Sequence, residues 1–503
     1  MGTTGAKLGV TSNAWSILLK QPAGIWVLFI SEMWERFSYY GMRALLVLYL
    51  ISATDAESPD GNPNLNPGFG WSEDSAYLLY GIYTWAVYLT PIFGGLLADR
   101  LLGTHRSLLV GGWIIASGHL TLAATSLFGI TPGAAVSLQT GPGALLCFIG
   151  GLTLIVIGTG FFKPCATVMV GQLYAADDPR RDAGFTLFYM GINVGAVLAP
   201  LVAGTLGETL GWHWGFGAAA AGMILGIVVY QGLRPKYLSG IGDPPRQRAS
   251  DARADAANNG PPARLSIVEW QRIGVILILA FVGNIAFWTA FEQAGSSMNV
   301  FAAQSTDRTV WGLLSEPFPA TWYQSVNPAA VILFAPLFAW LWVWLARRDL
   351  DPSIPTKFAL GLWLLGLAFI AMVFGAAGAD DGGLAGPHWL LITYIVYTWG
   401  ELCLSPVGLA MVTRLAPVHL QSMMMGLWFF SFSLSNLLAG LVARFSTKLE
   451  TGEWTFIMEG LAGFYLLLVV VPIAVGCLIF ALSPLLRRWM HVRLSEPDPA
   501  GKT

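Results

Sequence analysis

Long apolar runs constrain this chain more than any other feature of its sequence. Twelve of them can be marked, each about as long as the ~20 residues that a helix needs to cross a bilayer. They begin near Gly24, Trp71, Arg106, Gly141, Ala183, Trp212, Leu265, Ser325, Thr356, His388, Gln421 and Trp454. Lipid offers no hydrogen-bond partners, so each spanning segment must satisfy its own backbone, and the runs are too long and uniform for barrel strands. We therefore predict an all-α integral membrane protein with twelve transmembrane helices.

Composition supports this prediction and narrows the other functions that the chain can have. Hydrophobic residues make up 55% of the 503 residues and charged residues 11%, and the mean hydropathy is +0.61. The charges are divided between loops on two sides of a membrane, so the formal net charge of -2 indicates no nucleic-acid partner. Each of the four cysteines lies in an apolar run without metal-ligand spacing. We expect packing roles for them, and no metal or other cofactor.

Lys and Arg are unevenly distributed between alternate loops, and this predicts the orientation in the membrane. Cytoplasmic loops carry an excess of these residues. With both termini cytoplasmic, 21 of the 27 Lys and Arg residues lie on that side, and the opposite orientation would reverse the bias. The N-terminus has no short apolar core followed by a cleavage site, so we expect the first helix to be retained. The prediction is a multi-pass protein of the cell inner membrane.

One long polar segment, residues 235–264, divides the runs into two groups of six. Because it is rich in Pro, Asp, Arg and Asn, it cannot bury enough apolar surface to fold alone. Two six-helix halves joined by such a linker are typical of transporters that bind substrate between the halves, although a long loop in another twelve-helix protein is the alternative. The predicted units are a cytoplasmic N-terminus (1–23), an N-terminal bundle (24–234), the linker (235–264), a C-terminal bundle (265–486) and a cytoplasmic tail (487–503).

Seven charged residues stand out inside the apolar runs. They are Glu32, Glu35, Arg36, Arg43, Lys163, Glu292 and Glu401. A charge at mid-bilayer costs from about 2.5 to over 10 kcal/mol, so each one indicates a function and a partner of opposite charge. On the first helix, the charged residues and two tyrosines fall on one face, which we predict to line a cavity. A purely structural ion-pair network is the alternative.

The first helix also carries a recognisable motif. Residues 32–40 read E-x-x-E-R-F-x-Y-Y and residues 188–200 read F-Y-x-x-I-N-x-G-x-x-x-x-P, and both resemble signatures of the proton-dependent oligopeptide transporter (POT) family. Residues 160–164, 287–293 and 400–406 also fit that family. The D-R-x-x-G stretch at residues 99–103 resembles a loop of the major facilitator superfamily. The resemblance implies the major facilitator fold and proton-coupled import of di- and tripeptides by alternating access.

The resemblance also implies roles for individual residues in substrate binding. Arg36 and Lys163 would attract the peptide carboxylate, and Glu401 would hold the amino terminus with the help of two amides, Asn193 and Asn327. Aromatic residues would form the walls of the side-chain pockets, namely Tyr39, Tyr40, Tyr88, Trp288 and Trp428. For Tyr394 and Tyr397, which share a face with Glu401, packing is the preferred interpretation.

Two charge pairs would act as gates, and three residues would couple transport to protons. Arg43 with Glu292 would close the outer side, and Lys163 with Glu401 would connect the halves when the inner side is shut. Proton coupling would involve Glu32, Glu35 and Arg36, because residues 71–100 contain no histidine of the kind that animal relatives have on their second helix. The linker is too short and polar for the two extra helices of many bacterial relatives. We expect the protein to function as a monomer.

Two other classes of function are alternatives to peptide transport. A member of the same family can carry another small solute, such as nitrate or an organic anion, but the complete E-x-x-E-R set favours peptides. An intramembrane enzyme would need a nucleophile with a base or clustered metal ligands, and His119 has no such neighbour in the sequence. We therefore predict that the chain is not an enzyme.

Overall fold

A computed structural model of the protein describes residues 20–54, 66–98, 102–128, 133–175, 178, 180–243, 265–380 and 383–490. Within these ranges the chain is helical, and its only β pairing consists of two isolated bridges. The described residues form twelve long helical segments, and each begins within about six residues of its predicted start. The all-helical prediction is therefore confirmed.

The first six segments form the N-terminal half of the described structure. They are α1 (Ala23–Ile51), α2 (Glu73–Leu97), α3 (Thr104–Ala123), α4 (Pro142–Gln172), α5 (Arg181–Thr209) and α6 (Trp212–Tyr237). The remaining six are α7 (Ile267–Gln304), α8 (Ala320–Ala346), α9 (Ile354–Asp380), α10 (His388–Leu415), α11 (Gln421–Glu450) and α12 (Gly460–Met490).

Ten of these twelve segments are long and apolar enough to cross a membrane, and α1 and α2 are not among them. In α1 the reason is the set of charged residues that the sequence already singled out. The number of membrane crossings, twelve, stays a prediction, and so do the domain boundaries. Residues 1–19, 244–264 and 491–503, with most of the predicted tails and linker, lie outside the described residues, as do residues 99–101 of the D-R-x-x-G stretch.

Local sequence signals explain where several helices begin. Ser266 caps the N-terminus of α7 in a capping box with Glu269, because each side chain accepts a hydrogen bond from the other residue's backbone N–H. Gly103 and Gly211 precede α3 and α6 with φ angles of 76° and 137°, which glycine adopts without a steric penalty. Both glycines therefore allow a tight connection between consecutive helices.

Glycines also allow helices to approach closely inside the N-terminal half. A Cβ atom added at Gly118 of α3 would lie 2.8 Å from the carbonyl oxygen of Gly151 in α4. One added at Gly158 would lie 2.7 Å from the carbonyl oxygen of Gly111, two turns farther along the same contact. Small residues at such crossings are typical of membrane helices, where close van der Waals packing replaces the hydrophobic effect.

The two halves meet at one face of the molecule, which we call the outer face because the charge distribution predicts it to be extracellular. Arg444 at the end of α11 forms two hydrogen bonds, of 2.8 and 2.7 Å, with the Asp74 carboxylate at the start of α2. Glu208 at the end of α5 accepts hydrogen bonds from the backbone N–H groups of Ala320 and Thr321, at 2.8 and 2.9 Å. The Glu208 carboxylate thus caps the first turn of α8, where free N–H groups favour an anion. These contacts close the outer face.

The helices α2 and α11 cross in close backbone contact between the halves. A Cβ atom added at Gly440 of α11 would lie 2.5 Å from the Cα atom of Gly81 in α2. Real Cβ atoms do not come this close to backbone, so a side chain at this position would separate the two helices. The closed outer face therefore requires glycine at this crossing.

We expect Gly440→Ala to open the outer face, because the added methyl group collides with backbone that cannot move aside within α2. Spin labels at Ser75 and Thr451, in a background without the native cysteines, would report the distance between the outer ends of α2 and α11 by electron–electron double resonance. The distribution should gain a longer component. Gly426→Ala on the same helix is the matched control, since nothing lies within 4 Å of its added Cβ atom. An unchanged distribution in Gly440→Ala would contradict this account of the closure.

Candidate functional site

Three charged side chains form a buried cluster on α1, which we call the α1 cluster: Glu32, Glu35 and Arg36. The Nε atom of Arg36 lies 3.2 Å from a carboxylate oxygen of Glu32 and also donates a hydrogen bond to Glu35. Each residue is at most 4% exposed. One oxygen of each carboxylate and the Nη2 atom of Arg36 have no hydrogen-bond partner in the described structure. The cluster therefore keeps free capacity for a proton or a ligand.

Lys163 of α4 lies near this cluster without forming an ion pair with any described residue. Its Nζ atom lies 3.9 Å from the centre of the Tyr88 ring, in a cation–π contact. It is also close enough to Glu32, Glu35 and Arg36 to interact with each of them electrostatically. Two carboxylates and two cations are thus gathered in one region, and the described charges there balance.

Arg43 and Glu292, which the family resemblance pairs, form a buried ion pair between α1 and α7. The Nη2 atom of Arg43 donates to the carboxylate, and its Nε atom donates to the hydroxyl of Tyr80 at 2.7 Å. Arg43 is 6% exposed and Glu292 3% exposed. The pair joins the two halves at the outer end of the site, where Asn299 of α7 also donates to the backbone oxygen of Ala44 at 2.8 Å.

Glu401 of α10 is a buried carboxylate with no cation within 4.0 Å among the described residues. Among the described residues, its hydrogen-bond donor is the side-chain amide of Asn327, at 2.9 Å. The same amide donates to the hydroxyl of Thr398, at 2.8 Å. Glu401 and Asn327, two of the three residues expected to hold a peptide amino terminus, are therefore in contact, and that shared role stays a prediction. The predicted pair with Lys163 does not form here, and it stays a prediction for a state in which the inner side is shut.

A cavity of about 210 Å³ lies between the two halves, and both halves line it. Eight of the predicted site residues are on its walls: Tyr40, Arg43, Tyr88, Asn193, Trp288, Glu292, Asn327 and Glu401. The cavity thus has a carboxylate on one wall, an ion pair at one end and aromatic rings on both halves. Such a mixture of apolar surface with a few oriented polar groups is typical of small-ligand sites.

Two predicted wall residues do not line this cavity. Tyr39 is 3% exposed and packs beside Tyr40, with the Arg36 guanidinium carbon 5.5 Å from its ring centre. Trp428 is fully buried against Phe358, and a Cβ atom added at Gly408 would lie 2.3 Å from its indole ring. The present geometry gives both residues packing positions. Their role as pocket walls stays a prediction. The cavity walls also do not include Glu32, Glu35, Arg36 or Lys163.

Several wall residues were not predicted from the sequence. Tyr189 lines the cavity from α5, and Tyr394 and Tyr397 line it from α10, although the sequence favours packing for the last two. Their spacing to Glu401, seven and four residues, was the available signal. That signal could not decide the question, because a helix face next to a site contains both packing and lining residues.

A scan against protein families finds the POT family, whose sequence profile matches residues 105–239 and 263–457. The peptide transporter YePEPT of Yersinia enterocolitica is 38% identical over 468 residues, which cover 82% of this chain and 86% of that protein. A di-/tripeptide transporter of Lactococcus lactis subsp. cremoris is 34% identical over 506 residues, which cover 90% of this chain and 96% of that protein.

Solved structures of the same family identify the fold. The crystal structure of a mutant of a peptide transporter POT in complex with alafosfalin is 34% identical and superposes with a TM-score of 0.77. The match covers 94% of this chain and 96% of that one. The fold is therefore the predicted major facilitator fold, and the similar proteins are transporters and not enzymes.

We expect Glu292→Gln to open the outer face, because it leaves the buried Arg43 guanidinium without its counter-ion. Breaking a buried pair costs about 3–5 kcal/mol, enough to shift an equilibrium between closed and open forms. A cysteine placed at Ser405 on the cavity wall, in the cysteine-free background, should react faster with an impermeant maleimide added from the outside.

Glu453→Gln provides the control for this measurement. It breaks a contact of 3.9 Å between the exposed side chains of Lys448 and Glu453, and exposed pairs contribute about 0–1 kcal/mol. Equal labelling rates in the Glu292→Gln and Glu453→Gln proteins would show that the buried pair does not hold the outer face closed.

Proposed function

The chain belongs to the POT family, and on this premise and the geometry of its site we propose that it is a symporter that imports di- and tripeptides with protons. The peptide binds between the two halves, near the middle of the bilayer, and reaches the cytoplasm by alternating access. The protein is a monomer in the cell inner membrane, has both termini in the cytoplasm and uses no cofactor. The coupling ion is the proton.

The observation that carries this proposal is the environment of Glu401. A buried carboxylate is costly unless a cation or several hydrogen bonds compensate it, and here one amide hydrogen bond from Asn327 is the described compensation. The ammonium group of a peptide would supply the missing positive charge. The cavity surface around Glu401 offers two more polar side chains, Asn193 and Ser405.

The opposite end of a zwitterionic peptide needs a cation, and two are close to the other wall. Lys163 lies on the ring of Tyr88, which is itself a wall residue. Arg36 has an Nη2 atom without a protein partner. A carboxylate that displaced the Tyr88 contact could bind either cation through charge-assisted hydrogen bonds. The spacing between this region and Glu401 then selects peptide backbone length, while the aromatic walls tolerate varied side chains.

The α1 cluster supports proton coupling through its charges. Two carboxylates share the single guanidinium of Arg36, so protonation of one of them leaves a balanced pair and frees part of the arginine. A proton that arrives from outside would thereby favour binding of the peptide carboxylate. Its release inside would restore the original pairing and expel the peptide.

The competing substrate class is a small anion such as nitrate, or an organic anion. An anion of this kind would use Arg36 and Lys163 but would leave Glu401 uncompensated. It would also be repelled by that carboxylate inside the same cavity. The geometry of Glu401 therefore favours a zwitterion over a simple anion.

Competition against labelled dialanine in proteoliposomes tests the substrate class. We expect unlabelled di- and tripeptides to suppress uptake, and free amino acids and nitrate to leave it unchanged at the same concentration. N-acetyl-dialanine tests the role of Glu401 most directly, because it keeps the carboxylate and loses the ammonium group. It should compete at least tenfold more weakly than dialanine. Competition by nitrate, with none by dipeptides, would replace the peptide proposal with the anion alternative.

The coupling role of the α1 cluster is tested by separating exchange from accumulation. Glu35→Gln resembles the permanently protonated carboxylate, so it should still bind dialanine and exchange it across the membrane, but it should not concentrate it. One proton at 100 mV supplies about 2.3 kcal/mol, which sustains a concentration ratio of about fifty in the unmodified protein. Glu32→Gln should show the same separation of exchange from accumulation.

Glu269→Gln, on the surface at the start of α7, is the control and should accumulate dialanine normally. Full accumulation by both Glu35→Gln and Glu32→Gln at an imposed potential would place the coupling site outside the α1 cluster.

A further inference from the structure

A second cavity, of about 500 Å³, adjoins the peptide cavity on its inner side. The two cavities share Tyr189 and Asn193 on α5, and Glu401 and Ser405 on α10. On α8 the lining residues continue along the face that begins at Asn327, one turn after another toward the inner end. The second cavity therefore borders the first between α5, α8 and α10, and we call it the extension. None of the predicted side-chain walls belongs to it.

The walls of this extension are apolar almost everywhere beyond the four shared residues. They include Met190, Val331, Ala335, Phe338, Trp342 and Leu402. A large apolar side chain placed here would leave water, which is favourable in proportion to the apolar area buried. Charged and hydrogen-bonding side chains would find few partners on these walls and would lose hydration.

We propose that this extension is a side-chain pocket for a large apolar first residue of the peptide. The inference rests on the proposed function, in which Glu401 binds the peptide ammonium group. The ammonium group and the first side chain are attached to the same Cα atom, so a peptide held at Glu401 has its first side chain at the entrance of the extension. The second side chain starts from a Cα atom ~3.8 Å farther along the peptide, toward Lys163 and Arg36.

The affinity for a peptide should therefore depend on which of its residues carries the large apolar side chain. Phe-Ala and Ala-Phe have the same atoms and charges, and only the first can put its ring into the extension. Burial of an aromatic side chain corresponds to at least about a tenfold gain in affinity, so Phe-Ala should compete against labelled dialanine about tenfold better than Ala-Phe. Leu-Ala and Ala-Leu should differ in the same direction.

The test uses proteoliposomes with the full chain and a variant that fills the extension. Ala335→Trp places an indole on the α8 wall, so it should raise the half-inhibitory concentration of Phe-Ala about tenfold and leave that of Ala-Phe unchanged. The KM for dialanine should also stay unchanged, because its methyl groups do not reach the filled space. Leu333→Trp is the matched control on the same helix, since Leu333 is 69% exposed and does not line either cavity.

The outcomes separate this inference from the proposed function. Uptake of dialanine without any preference for Phe-Ala over Ala-Phe in the unmodified protein would overturn the pocket and leave the peptide transporter. If Ala335→Trp loses dialanine uptake, the smaller change Ala339→Phe on the same wall is tested in its place. If the pocket exists, Ala339→Phe must weaken competition by Phe-Ala and leave competition by Ala-Phe unchanged. Dialanine uptake could instead depend on the acyl-chain length of the lipid while neither variant changes competition by Phe-Ala. That result would assign the extension to a lipid tail and reject the inference.

Discussion

The pairing of charges inside a low-dielectric interior is the constraint on which the rest of this structure depends. The α1 cluster, the pair Arg43 with Glu292, and Lys163 on the ring of Tyr88 together hold three carboxylates and three cations. Glu401 then remains as a buried carboxylate with an amide as its described partner. A site that is balanced everywhere except at one carboxylate is prepared for a cationic group, and a peptide brings such a group together with a carboxylate for the far wall.

The closed outer face follows from contacts that only small or oppositely charged groups can make. Gly81 and Gly440 bring α2 and α11 together, Asp74 and Arg444 fix their outer ends, and Glu208 caps the first turn of α8 from the other half. The predicted inner contact, Lys163 with Glu401, is not formed. These two facts describe a conformation that is closed at the outer face. In the proposed transport cycle, such a conformation belongs to the half in which peptide leaves toward the cytoplasm.

The sequence allowed the fold to be predicted in detail, because each membrane segment must be long, apolar and helical. The charges inside the apolar runs also indicated the polar face of α1, since buried charges require partners, and the family resemblance supplied the pair Arg43 with Glu292. The sequence could not separate wall residues from packed ones: Trp428 lies in the core, whereas Tyr394 and Tyr397 line the cavity. That difference depends on how helices rotate against one another, and a helix face shows only which residues are neighbours. The apolar extension could not be predicted for the same reason. In the sequence, its residues on α5, α8 and α10 have the apolar character of lipid-facing positions.

Proton movement driven by peptide alone tests the central claim most directly. Proteoliposomes with a pH-sensitive dye in the lumen and no imposed proton gradient or potential should acidify inside when dialanine is added outside, because each peptide that enters carries protons with it. The signal should be absent from liposomes without protein and should grow when the potential is made negative inside. Uptake of labelled dialanine at a normal rate with no lumenal acidification would contradict the account, since the buried carboxylates would then have no part in coupling.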